Sequence, residues 1–117
     1  MKSYKGYFDA SGKHIVGLIG TNPCGEIILQ SKQFCNLSEV IARADDTEAS
    51  LLRKAKLAAI LGTYQSSLTK FNYIAKDWTK HCAEERLLGV SITGQWDSPA
   101  ARQPEVMRKV RDAAVKA

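Results

Sequence analysis

The spacing of apolar residues changes period along the chain, and each change predicts a different element. Residues 4–8 (YKGYF) and 13–19 (KHIVGLI) are short runs of strand-forming residues. The turn-forming cluster Asp9-Ala-Ser-Gly12 separates them, which predicts a hairpin. Gly20-Thr-Asn-Pro-Cys-Gly25 follows as a tight loop, with a glycine at each end and Pro23 restricting the backbone between them. Residues 26–30 (EIILQ) and 34–37 (FCNL) read as short extended segments. From Asp45 the period becomes helical. Asp45 and Glu48 have capping-box spacing, with Asp45 as the N-cap. Leu51, Leu52, Ala55, Ala58, Ala59 and Leu61 then recur on one side, with Arg53, Lys54 and Lys56 on the other, to about Leu68. A second helix is predicted with Phe71, Ile74, Ala75, Trp78 and Cys82 on one stripe, ending near Leu88. Gly89-Val-Ser-Ile-Thr-Gly94 predicts a strand with one polar face. From about Pro104 a third helix carries Val106, Val110 and Ala113/Ala114. The order of strands, two long helices, strand and helix suits an α/β layer better than an all-α bundle.

Composition narrows the class. A length of 117 residues fits one domain, with a real core but no room for a large enzyme with separate modules. Hydrophobic residues make up 44% and charged residues 25%, with 3 prolines, which excludes low-complexity classes. The net charge of +5 is spread along the chain, so no block of like charge forms a nucleic-acid arm. The mild positive field favours approach of phosphate-bearing ligands. No apolar run has the length of a membrane span, and MKSYKGYFDA lacks the apolar core of a signal peptide. A cytoplasmic location is expected. Three cysteines (Cys24, Cys35, Cys82) are an odd number in a cysteine-poor chain, which is not a disulfide framework. Without CxxC or zinc-type spacing, no metal site is expected.

The most chemically suggestive stretch is Thr21-Asn22-Pro23-Cys24-Gly25-Glu26-Ile27, followed by Phe34-Cys35-Asn36-Leu37. Residues i−2, i and i+2 of an extended segment point the same way, so Asn22, Cys24 and Glu26 would face one site. There the carboxylate could serve as a general base, the amide as a hydrogen-bond partner and the thiol as nucleophile or redox centre. Cys35 lies eleven residues on, at the next extended segment. The same residues also suit a purely structural turn, because Asn-Pro is a common turn dipeptide and cysteine a common buried residue. Cys82, Trp78 and Tyr64 read as core residues on helical stripes. His14 reads as a strand residue with no catalytic partner, His81 as solvent-facing, and Asn36 as a partner for backbone groups near the loop.

The run TNPCGEIILQSKQFCNLSEV resembles the active-site segment of class II, adenosylcobalamin-dependent ribonucleotide reductases, and RLLGVSITGQWDSP resembles a strand region downstream in the same enzymes. The resemblance covers about residues 12–99; residues 100–117 stay unassigned beyond their helix. It implies a partial segment of a ten-stranded α/β barrel including the finger loop. It also implies an oxidoreductase of deoxyribonucleotide biosynthesis that works by thiyl-radical chemistry with adenosylcobalamin. On that reading Cys24 would be the radical cysteine and Glu26 the base for the substrate 3′-hydroxyl. Asn22 would hydrogen-bond the substrate, and Cys35 would be one of two reducing thiols that end as a redox-active disulfide. The implied partners are a ribonucleotide substrate, a thioredoxin-like reductant and other fragments of the same reductase, with no membrane. The second reducing cysteine, the cobalamin-binding region and the main phosphate loops have no counterpart here. The expectation is therefore one partial domain, inactive alone.

Two other readings use the same residues. One is a small basic α/β module that binds nucleic acid or protein without catalysis. The other is a thiol oxidoreductase pairing Cys24 with Cys35, for which the activating CxxC spacing is missing.

Overall fold

The computed structural model describes residues 4–8 and 14–117, with side chains from Gly20 onward. Among the described residues five strands and three helices occur, in the order β1 (Tyr4–Phe8), β2 (His14–Thr21), β3 (Ile28–Gln30), β4 (Asn36–Ile41), α1 (Glu48–Ser66), α2 (Lys76–Glu85), β5 (Leu88–Thr93) and α3 (Pro104–Val115). The chain divides into two compact units, residues 1–35 with 69–87 and residues 36–68 with 88–117.

In the first unit β1, β2 and β3 form an antiparallel sheet in that order. Tyr4 is paired with Ile19 and Phe8 with His14, with an irregularity between Lys5 and Tyr7. The expected hairpin strands are therefore present, while the expected turn at 9–12 and the side chain of His14 lie outside the described residues. β2 runs on to Thr21, which pairs with Ile28, so the tight loop starts two residues later than expected and β3 is confined to Ile28–Gln30. The expected helical stripe from Phe71 to Cys82 is only half helical. Phe71 and Ile74 precede α2, and Ile74 is exposed, whereas Trp78 and Cys82 stand one turn apart within it. Phe34 packs edge-on against Phe71 at 5.4 Å and lies 6.0 Å from Trp78, and Cys82 is buried as expected. α2 ends at Arg86, whose N–H makes the last helical bond to the Cys82 carbonyl and whose left-handed backbone turns the chain out of the helix.

In the second unit β4 and β5 form a two-stranded parallel sheet, paired from Asn36–Leu88 to Ile41–Thr93. α1 begins two residues later than the Asp45 cap predicts. Thr47 is the N-cap and exchanges hydrogen bonds with Ser50 in a capping box. Asp46 instead accepts from the Arg43 N–H, the Ser50 hydroxyl and the Lys54 ammonium, tying the entry loop to the first helical turns. Those bonds lower the Asp46 carboxyl to about 2, with Lys54 as the largest cause, then Ser50, then the Arg43 amide. Val40, Ala42, Leu51, Ala55, Ala58, Ala101, Val106 and Val110 form the buried core. It joins one face of the sheet to α1 and α3. The Ser38 hydroxyl donates to the Ala58 carbonyl at 2.8 Å and fixes α1 across β4. Gly94 follows β5 with φ +71°, and a Cβ there would lie 2.3 Å from the Ala42 carbonyl oxygen. Glycine therefore permits the close approach at the end of this strand pair.

The expected barrel segment is corrected by this topology. Barrel strands of the reductase type continue one curled sheet, but here the described strands form a three-stranded antiparallel sheet and a separate two-stranded parallel one. Tyr64 is also corrected. It projects from the outer side of α1 and is 73% exposed, because the face turned to the core is made of Leu51, Ala55, Ala58, Ala59 and Gly62.

Candidate functional site

The Asn22–Ile27 loop is built around one side chain. Asn22 Oδ1 accepts the Gly25 N–H at 3.1 Å and the Ile27 N–H at 3.3 Å. Its Nδ2 donates to the Glu26 carboxylate. The main chain closes the same turn, with the Gly25 N–H donating to the Asn22 carbonyl at 3.0 Å. Gly25 has φ +82°, a conformation that closes the turn and strains any residue with a Cβ. The structure thus brings Asn22 and Glu26 together, but in a turn and not in the extended segment the spacing argument assumed, and it engages the amide with the loop itself. This is an Asx-type turn, in which the side chain substitutes for a backbone partner. The Cys24 thiol is exposed, Cys35 is half-buried and Cys82 is buried, and none of the three is joined in a disulfide.

A second polar cluster in the same unit was missed in the sequence. Gln33 is 5% exposed. Its Oε1 accepts the Gln30 N–H at 2.9 Å, and its Nε2 donates to Glu85 at 2.6 Å and more weakly to the His81 carbonyl. His81 Nδ1 donates to the Ser31 carbonyl at 2.7 Å, so His81 braces the β3 turn and does not simply face solvent. Lys32, at φ 58°, forms an ion pair with Asp77, and that ammonium holds the Asp77 carboxyl below its ordinary value. Residues 31–34 therefore clamp α2. The residue types gave no periodic signal for this, because every partner on α2 lies more than 40 positions away.

The second unit exposes apolar surface on two sides. In β4, Asn36 and Val40 are buried, whereas Leu37 and Ile41 are 56% and 47% exposed with Glu39 between them. In the parallel register Leu37 lies beside Gly89, Glu39 beside Ser91 and Ile41 beside Thr93, so these residues share the face turned away from the helices. The Ala42 N–H donates to the Thr93 carbonyl at 2.9 Å. Backbone groups alternate along a strand, so the N–H and C=O groups of Leu37, Glu39 and Ile41 point to the outer edge of β4. None of the described strands pairs with that edge. The Lys54 ammonium covers its end by donating to the Ile41 carbonyl at 3.0 Å. On the helical side, a cleft of about 490 Å³ opens between α1, β5 and α3, lined by Ala55, Ala59, Val90, Met107, Val110 and Ala114 among others. The polar face expected on β5 is present in Ser91 and Thr93, both exposed.

Charge is dispersed. Lys32, Lys54, Arg108, Lys109 and Arg111 each sit in an ion pair with an acidic partner. Among the described residues, no three His, Cys, Asp or Glu side chains gather in a way that could hold a metal ion. No described helix is long and apolar enough to cross a membrane.

Compared with known protein families, curated proteins and solved structures, the chain matches none. The expected identity as a reductase segment is corrected by these findings, and with it thiyl-radical reduction, adenosylcobalamin-dependent catalysis and a role in deoxyribonucleotide synthesis. The described strands build two small sheets and no barrel centre, and Asn22, Gly25 and Glu26 form a self-closed turn on an exposed loop. A small α/β module agrees better with what is present.

Proposed function

We propose that this chain is a non-catalytic α/β module that binds another protein along the outer edge and open face of β4. The observation that carries this reading is the two-stranded parallel sheet, of which its own unit covers only one face. Parallel sheets are otherwise found with both faces buried, and an open edge offers a row of backbone donors and acceptors to an added strand. Addition of an extended segment to such an edge is a recurrent mode of protein recognition. Side chains repeat every second residue in a strand. The segment that fits therefore places apolar residues beside Leu37 and Ile41 and a basic residue beside Glu39.

Nucleic acid is the weaker ligand for this surface. The exposed face of β4 carries an acidic residue, and five of the basic side chains are already paired. We place the protein in the cytoplasm, a reading supported by three cysteines none of which is joined in a disulfide.

A displayed library of random peptides, selected on the whole chain, tests the proposal. Selection should enrich apolar-x-basic-x-apolar segments whose binding is lost in Glu39→Lys. Enrichment of sequences that bind Glu39→Lys equally well would overturn it. So would salt-dependent binding of a mixed-sequence DNA duplex with no peptide enriched.

A further inference from the structure

α1 is apolar on two opposite sides. Its inner face is made of small residues around Leu51 and fits against the sheet. Its outer face presents Leu57, Leu61 and Tyr64, which are 56%, 64% and 73% exposed. Leu68, 72% exposed, continues the line just beyond the helix, where its N–H donates to the Gln65 carbonyl. At about 3.6 residues per turn these four side chains fall on a single stripe. A helix that is apolar on both sides belongs between two layers, and the outer layer is not supplied by the second unit itself.

We propose that the outer face of α1 pairs with the same face of a second copy, in antiparallel orientation. The proposal concerns a different surface from the β4 edge and stands independently of it. Two features select this occupant. The stripe has spacings of four, three and four residues, so it is symmetric about its midpoint. A two-fold axis there sets Leu57 of one copy against Leu68 of the other, and Leu61 against Tyr64, twice over. Self-complementarity of this kind is what a two-fold interface requires.

Charge then fixes the direction. The exposed bases beside the stripe, Arg53 and Lys56, lie toward the N-terminal half, and the last turn of α1 contains no basic residue. A parallel pair would set Arg53 against Arg53 and Lys56 against Lys56. The antiparallel pair separates these bases from their own counterparts and carries them toward the partner's C-terminal turn, where the helix dipole is negative and the last turn holds no basic residue.

Sedimentation equilibrium of the full chain over a wide concentration range tests this. The expected result is a reversible dimer of the 12.9 kDa chain. Leu61→Glu and, separately, Tyr64→Lys should each raise the dimer dissociation constant roughly a hundredfold, because each change occurs twice per interface. Leu37→Glu on the open sheet face should leave it unchanged. Circular dichroism verifies that each variant is folded. Orientation is read by mixing Leu57→Cys and Leu68→Cys chains in a Cys24→Ser background under mild oxidation and mapping the disulfides. The antiparallel pair gives the mixed 57–68 disulfide. A monomer at every concentration, a dimer insensitive to both outer-face variants, or predominant 57–57 disulfides would overturn the proposal.

Discussion

Replacing glycines one at a time by alanine separates backbone conformation from steric contact in this fold. Gly20 has an ordinary backbone, and a Cβ there would meet nothing within 4 Å. Gly25 is left-handed at φ +82°, but a Cβ there would also meet nothing. Gly94 combines φ +71° with a Cβ position 2.3 Å from the Ala42 carbonyl oxygen, a backbone atom that cannot swing aside. Gly20→Ala in β2 should be neutral or stabilising by up to about 1 kcal/mol. Gly25→Ala should cost about 1–2 kcal/mol, the left-handed penalty alone. Gly94→Ala adds a forced backbone displacement to the same penalty and should cost about 2–5 kcal/mol in total. That is a large part of the stability of a small domain. It also threatens the Ala42–Thr93 hydrogen bond that ends the β4–β5 pair. Native-state hydrogen exchange in urea reads the two units separately, so the three variants can be ranked within their own surroundings. A Gly94→Ala chain as stable as the parent, or a Gly25→Ala chain that loses more than Gly94→Ala, would refute the reasoning.

Three further outcomes follow from the packing and the loop. Leu51 is fully buried, so Leu51→Ala should destabilise the second unit by about 2–5 kcal/mol in urea unfolding, against under about 0.5 kcal/mol for an exposed change such as Lys56→Ala. The Asp46 carboxyl titrates at about 2 in the folded chain and near 3.8 when unfolded. Its depressed value contributes stability that is complete above the unfolded pKa and is lost as pH falls from about 4 toward 2. Thermal unfolding across that window should show a smaller acid-induced loss in Asp46→Asn than in the parent. Iodoacetamide should label Cys24 first, Cys35 more slowly and Cys82 only when the first unit opens, an order that peptide mass mapping under native conditions checks.

Much of the secondary structure was legible because it is local. The capping-box chemistry near residue 47, the helical period through α1, the alternation in β5 and Pro104 at the start of α3 all act over a few residues. Boundaries slipped where two local signals competed. Asp45 and Glu48 offered the same cap as Thr47 and Ser50, and Asp46 went to Arg43, Ser50 and Lys54 instead. Phe71 and Trp78 share a stripe on a helical wheel, yet Phe71 reaches Phe34 from outside α2, so periodicity alone misassigned it. The β1–β2 hairpin was legible from its neighbouring strands, but the pairing of the second sheet was not. β4 and β5 are separated by two helices, and nothing in either run states which neighbour it takes. The loop shows the same limit: the spacing of Asn22 and Glu26 put them on one side, but only the fold shows the amide spent on Gly25 and Ile27. Motif resemblance supplied a barrel where the strand pairing supplies two sheets.

Amide exchange along β4, with and without a bound peptide of the apolar-x-basic-x-apolar type, tests the binding surface most directly. In the free chain Ser38, Val40 and Ala42 should be protected by β5, while Leu37, Glu39 and Ile41 exchange quickly at the outer edge. On binding, those three amides should become protected together. A peptide that binds and leaves all three exchanging at their free rates would contradict the account.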